Sequence, residues 1–211
     1  MTPDTGQRVR DAAVKLFADK GFHGTGIRDL AREAKISSAS LYHYMGTKEE
    51  LLATIMTESL GRLLLAARQL PGEDPRERLA GLVALHVLTH ATRPAETRVV
   101  DHEMPALSAA TRRRIIGLRD EYERLWTDTI VDGIRAGMFR DAEPALTRLA
   151  LIEMCNGVSR WYSPRGPLSP DELAVHFARL ATRMLGATEN DFSSVIGRAR
   201  SVVSTVWNNT R

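Results

Sequence analysis

The chain has 211 residues, of which 43% are hydrophobic and 26% charged, with a formal net charge of +3. That length and apolar content sustain one large domain, or a small module joined to a larger one, and exclude a disordered tail or a mini-protein that needs staples. A single cysteine, Cys155, excludes a disulfide framework and any multi-cysteine metal site.

No charged-then-apolar leader opens the chain, and no apolar run approaches a membrane span of about 20 residues, so the expectation is a soluble cytoplasmic protein without a membrane partner. The basic excess is mild. All four lysines, Lys15, Lys20, Lys35 and Lys48, fall among Asp4, Asp11, Asp19, Asp29 and Glu33, so a polyanion-binding face must come from placement rather than bulk charge. Apolar residues recur at three and four positions along nearly every segment and β-branched alternation is absent, which predicts an all-α chain.

The first helix is expected over about 5–20, with Val9, Ala13, Leu16 and Phe17 on one stripe and Gly21 as its stop. The second is expected over about 26–34, capped by Thr25 and burying Ile27, Leu30, Ala31 and Ala34. A third begins after Ser37, carries SASLYHY and ends at Gly46; Thr47 to Glu50, TKEE, reads as a capping box for a long fourth helix reaching about Leu70. PGEDPRER then breaks the pattern. Further helices are expected over about 75–92, 95–104, 108–137, 144–162 and 170–186, with Pro105, Gly137, Pro144 and SPRGPLSP at the joints. The last segment, DFSSVIGRARSVVSTVWNNTR, reads either as one more amphipathic helix or as a tail. The expected organisation is a three-helix head with a helix-turn-helix over 1–50, a helical effector-binding and dimerisation body over 51–187, and a C-terminal extension of unassigned role over 188–211.

SASLYHY sets Leu41, Tyr42, His43 and Tyr44 side by side, and in a helix only one of four consecutive residues points squarely into a core. Leu41 takes that position toward Phe17, Ile27 and Leu30, so two tyrosines and a histidine face outward. Small residues ahead of them, Ser38, Ala39 and Ser40, allow the backbone into a major groove about 12 Å wide, and tyrosine hydroxyls reach phosphates at the groove edges. The N-termini of the second and fourth helices, at Thr25–Gly26 and Thr47–Lys48, offer backbone N–H groups to phosphates. The alternative is a partly buried corner of a helical protein that binds no DNA.

These residues, within GTGIRDLAREAKISSASLYHYMGTKEELL, resemble the N-terminal signature of the TetR family of bacterial transcriptional regulators. The resemblance covers about residues 8–52 and rests on Phe17, Gly21, Thr25 to Ile27, Ala31, Ala34, Leu41-Tyr42, Tyr44 and Lys48; Met45 departs from it, standing where a phenylalanine is frequent. It implies an all-helical homodimer whose heads read half-sites of a palindromic double-stranded DNA operator, and a small-molecule effector in the body that weakens their grip. Carried over residue by residue, phosphate contacts fall on Thr25, Tyr42, Tyr44 and Lys48, beside Gly26. Base reading falls on Arg28, Ser38, Ala39, Ser40 and His43, with Arg28 suited to guanine O6 and N7. A solvated Arg28, or one paired with Glu33, is the plain alternative.

In the body, PALTRLALIEMCNGVSRWY is nearly apolar around its circumference, and a helix of that kind is buried on both sides. With the 170–186 helix it is expected to form a four-helix bundle across a two-fold axis, as the family does. Tyr122 and Trp126 are the candidate effector-binding aromatics of the 108–137 helix, with plain core packing as the alternative. GVSRWYSPRGPLSP resembles a motif of TetR regulators of steroid and fatty-acid breakdown that respond to acyl-CoA thioesters. That resemblance puts Arg160, with Trp161 beside it, toward CoA phosphates. Ile152 and Asn156 occupy places where the steroid regulators carry an arginine and a tryptophan, which sets Asn156 among the effector residues and leaves the ligand class, acyl-CoA or a related lipid, open. The alternative for Arg160 to Tyr162 is a structural corner at the helix end, with Pro164, Gly166 and Pro167 shaping the turn.

His86 and His90 stand four apart, a spacing that suits two metal ligands or two packed histidines. Without a glutamate in the protease pattern, a Gly-rich phosphate loop or a nucleophile with partners, no metal, cofactor or catalytic centre is expected. Cys155 reads as a small hydrophobe or a redox sensor. The rival to a regulator is a helical dimeric scaffold or small-molecule carrier that does not bind an operator.

Overall fold

Helical periodicity governs every described segment. The computed structural model describes residues 4–70, 72–140, 143–187 and 191–208, and among these there are helices and no strand. The start and end of the extension, 188–190 and 209–211, and residues 1–3 of the head lie outside the described residues.

In chain order the helices are α1 (Thr5–Gly24), α2 (Ile27–Glu33), α3 (Ser38–Met45), α4 (Lys48–Arg68), α5 (Pro75–Thr92), α6 (Pro94–His102), a 3-10 turn (Met104–Ala106), α7 (Ala109–Arg135), α8 (Pro144–Asn156), α9 (Val158–Trp161), α10 (Pro170–Met184) and α11 (Ser193–Asn208). Most boundaries follow local chemistry. Gly21, at φ 73°, breaks α1 before its last residues. Pro75 at the first turn of α5 follows Asp74, whose side chain accepts from the Arg76 N–H. Ser169 and Glu172 close a capping box on α10.

Two expectations about the elements change, and one left open is decided. The second helix is capped by Gly26 with no side-chain cap, so Thr25 does not serve that role. The 144–162 stretch is two helices, because at Gly157 the ladder shifts and the Arg160 N–H bonds Gly157 O, three residues back. The last segment is a helix: α11 buries Val195, Ile196, Ala199, Val203, Val206 and Trp207 while packing on α5 and α10.

The chain divides into two compact units that do not follow chain order. Met1–Leu60 and Ala95–Leu118 form the first; Gly61–Pro94 and Arg119–Arg211 form the second, which takes in the C-terminal extension. In the first unit Phe17, Leu30, Leu41, Leu52 and Ile55 share a core with Val99, Val100, Leu107 and Ile115 from the later segment. In the second, α8, α10 and α11 pack around α5, which is buried at every position from Leu79 to Ala91. α8, expected to be buried all round, buries Leu151, Ile152 and Cys155 but leaves Leu149 exposed and Leu146 64% exposed. Leu180 and Met184 of α10 are exposed too.

Candidate nucleic-acid interface and effector region

α3 is shaped by a cap and a two-residue stripe. Ser37 Oγ accepts the Ser40 N–H at 3.0 Å and lies 2.8 Å from Ser40 Oγ, which starts the helix. Leu41 and Met45, four apart, are buried, so the residues between them face outward. Tyr42 is 55% and Tyr44 46% exposed, and His43, Ala39 and Ser40 are exposed with Ser38 half-buried. The His43 and Tyr44 rings meet edge-on at 5.2 Å. Gly46 ends the helix at φ 61°, where a Cβ would also collide with Glu50 Oε2. That carboxylate accepts the Thr47 N–H at 2.7 Å while Thr47 Oγ1 accepts the Glu50 N–H at 3.1 Å, so the TKEE capping box is present.

The turn before α3 places Lys35 at φ 58°, a left-handed conformation that costs a residue with a Cβ about 1 kcal/mol or more. α2 packs against α3 and carries an exposed Arg28. Glu33 bonds Lys15 at 2.6 Å, so it is not the partner of Arg28.

Two of the anticipated phosphate residues are turned inward. Thr25 is 1% exposed; its hydroxyl donates to Gly21 O at 2.8 Å, with Leu16 O at 3.2 Å, and its N–H bonds Phe22 O. A phosphate contact by the Thr25 side chain is therefore excluded in this conformation, for want of exposure and of a donor. The Lys48 ammonium donates to Phe22 O and Thr25 O, both at 2.8 Å, and lies 4.2 Å from the centre of the Phe22 ring. Desolvation draws its pKa below the ordinary lysine value. Lys48 thus clamps the α1–α2 joint with two of its three donors, which no side-chain pattern in the sequence signalled. Glu103 Oε2 secures the same joint by accepting the Phe22 N–H at 3.1 Å.

The candidate effector residues separate into two groups. Tyr122 and Trp126 are buried in the core of the second unit, as the packing alternative held. Tyr122 Oη lies 2.9 Å from His86 Nδ1, and His86 Nε2 lies 2.8 Å from Asn156 Oδ1. Asn156 Nδ2 donates to Glu153 Oε1 at 3.3 Å, so its Oδ1 accepts from His86 Nε2–H and the Tyr122 O–H donates to Nδ1. His86 stacks on His90 with ring centres 4.1 Å apart, and the His90 Nδ1–H donates to His86 O. The pair are packed histidines, and among the described residues no group of three His, Cys, Asp or Glu could hold a metal. Burial raises the Tyr122 phenol and the Cys155 thiol above their usual pKa values, and Cys155 packs as a small hydrophobe in the same core. Arg160 and Trp161 are on the surface instead; Trp161, 57% exposed, stacks on Phe177 at 6.2 Å. Neither group lines a cavity of about 320 Å³ between α5, α10 and α11.

Among the described residues no helix is long and apolar enough to cross a membrane. Residues 9–55 match the family described as bacterial regulatory proteins, tetR family, and residues 72–185 match the tetracyclin repressor-like C-terminal domain. The chain is 29% identical over 201 residues to the HTH-type transcriptional repressor KstR2 of Mycolicibacterium smegmatis, which spans 90% of this chain and 97% of that one. The crystal structure of a tetR-family regulatory protein from Rhodococcus RHA1 superposes with a TM-score of 0.81 at 30% identity, over 89% of this chain and 100% of that one. The ketosteroid transcriptional regulator KstR2 of Mycobacterium tuberculosis gives 0.81 at 26% identity, over 90% and 98%.

Proposed function

The chain belongs to the TetR family of bacterial transcriptional regulators, and from that premise we propose a repressor whose homodimer reads a palindromic operator through α3 and releases it when an acyl-CoA or related lipid binds the body. One observation carries the reading: α3 anchors itself with Leu41 and Met45 alone and presents Ser40, Tyr42, His43 and Tyr44 to solvent. A helix about 10–12 Å across with small residues at its start fits the major groove, and its outward side chains have no part in the core. Arg28, Ser38, Ala39, Ser40 and His43 read base edges; Tyr42 and Tyr44 hold phosphates at the groove edges. Gly26 and the start of α4 add backbone N–H groups. Lys48 acts chiefly by fixing the start of α4, with one donor left for a phosphate.

The open apolar side chains on α8 and α10, Leu146, Leu149, Leu180 and Met184, suit an isologous four-helix bundle between two copies. For the effector, the ketosteroid regulator among the similar structures supports a lipid and the resemblance of the SRWY motif supports a thioester, with the exposed Arg160 fork meeting phosphate and Trp161 beside it. The departures at Ile152 and Asn156 argue for a ligand other than the steroid regulators' own. Asn156, Tyr122 and Trp126 then act as the supporting wall. The head of 1–50 would serve binding and the body of 51–187 control, with α4, which contributes residues to both compact units, carrying the change. Release follows the effector's differential affinity for the two arrangements of the heads. The protein is read as a non-enzymatic cytoplasmic regulator.

Titrating the protein against the DNA upstream of its own gene at two salt concentrations tests the operator reading. Discrimination of about 10³ or more over random duplex supports it, whereas equal affinity for every duplex leaves only a helical scaffold. A thermal-shift series with CoA thioesters, free fatty acids and steroids tests the effector class.

A further inference from the structure

α2 ends in a left-handed turn that its backbone bonds demand. The Ile36 N–H bonds Ala31 O at 3.0 Å and the Lys35 N–H bonds Arg32 O at 3.2 Å, a Schellman pattern that forces the residue between Ala34 and Ile36 to a positive φ. Lys35 holds that place at φ 58°. At its other left-handed positions among the described residues, Gly21, Gly46, Gly137 and Gly186, the chain uses glycine, which has no Cβ to strain. Ile36 packs half-buried against the core of the first unit, so the fold needs the shape of the turn and not the side chain that makes it.

The four lysines divide in a way that isolates Lys35. Lys15 bonds Glu33 at 2.6 Å, Lys20 lies 3.9 Å from Asp29, and Lys48 holds two carbonyls. The Lys35 ammonium is exposed, with no ion pair or hydrogen bond among the described residues. The acids nearest in sequence are engaged elsewhere, Glu33 with Lys15 and Asp29 with Arg32 and Lys20. Water satisfies an exposed ammonium, so the anomaly is a residue with a Cβ kept where glycine folds better. Attraction to the C-terminal dipole of α2 is weak for an exposed charge screened by salt. Strained residues of this kind cluster at binding sites, where the side chain is needed in place.

We propose, on the operator reading above, that Lys35 grips a backbone phosphate beside the groove that α3 enters. Lys35 stands two residues before the Ser37 cap, a chain span of at most about 7 Å, and its four-carbon stem carries the ammonium toward the phosphates bordering Ser38 to Ser40. The contact reads no base; it fixes register and adds affinity on any sequence. The turn gives up fold stability for grip on DNA.

Anisotropy titration of the full chain with the duplex upstream of its own gene, and with random duplex of equal length, tests this between about 50 and 200 mM salt. Lys35→Gly should raise the melting temperature by up to about 4 °C and yet weaken binding by roughly threefold or more at the lower salt. Lys35→Gln, which keeps the Cβ and the stem without the charge, should show the same loss of binding at unchanged melting temperature. Both should reduce the salt slope by about 0.9, with equal losses on the two duplexes, and Lys35→Arg should keep the original affinity and slope. If the unaltered chain discriminates its upstream DNA but Lys35→Gln keeps its affinity and slope, Lys35 holds no phosphate and the operator reading stands. A loss confined to the upstream duplex marks a base contact and overturns the proposal as well. An unaltered chain with no preference for that duplex overturns both.

Discussion

α3 buries Leu41 and Met45 and leaves Tyr42, His43 and Tyr44 in solvent, whereas α5 buries every residue from Leu79 to Ala91, with His86, Thr89 and His90 among them. On α5 the polar groups are satisfied from within: Thr89 Oγ1 donates to Leu85 O, His90 to His86 O, and His86 bridges Tyr122 and Asn156. On α3 only the serine cap is satisfied internally, and the rings stay available to a partner. The two helices show that side-chain chemistry alone does not mark a binding residue. A histidine inside α5 is part of the architecture, whereas the one on α3 is exposed beside the Tyr44 ring, where the proposed operator contact would give it a role.

The largest effect is expected where α3 is anchored. Leu41→Ala should cost about 2–5 kcal/mol in chemical denaturation, because the cavity it leaves opens on Leu30 and Phe17; a loss near zero would mean that α3 is not held as described. Exchanging the two histidines tests the contrast directly. His86→Ala should lose about 1–3 kcal/mol by stranding the Tyr122 hydroxyl and the Asn156 amide, while His43→Ala should stay within about 0.5 kcal/mol yet weaken operator binding. Arg28→Ala should leave the melting temperature alone and relax base preference by about 1–3 kcal/mol, read from competition with operator variants.

Smaller changes sharpen the boundaries of the comparison. Lys35→Gly should stabilise the head by up to about 1 kcal/mol by relieving the left-handed turn before α3. At the start of α5, the bond from Arg76 holds the Asp74 carboxyl below the usual carboxylate range. A folded-state pKa that is depressed contributes stability above the unfolded value, and that contribution fades as pH falls through the folded one. Asp74→Asn should therefore flatten the fall in melting temperature below about pH 4 by an amount smaller than any above.

Helices were legible wherever apolar spacing ran between glycine and proline punctuation. α5 is the clearest example, with Asp74 and Pro75 at one end and the periodicity running to Thr92. The outward tyrosines were legible too, since four bulky neighbours cannot all share the side of Leu41. The inward turn of Thr25 and Lys48 was not. Their partners are the backbone oxygens of Leu16, Gly21, Phe22 and Thr25, and carbonyls exist at every position, so no residue type announces them. The His86 relay was hidden by separation, its partners lying 36 and 70 positions away. Its spacing to His90 was visible, yet the same interval serves a stacked pair and a metal site equally well.

Glu103 reaches back to the Phe22 N–H, and Arg10 is bonded by Glu96 at 2.7 Å. Anyone grafting this protein's operator preference onto another regulator by transplanting residues 1–50 would leave both carboxylates behind, together with Val99, Val100, Leu107 and Ile115 of the same core. A chimaera that carries residues 1–60 together with 95–118 keeps the donor's reading unit whole, and the last crossover belongs inside α7, near Leu118.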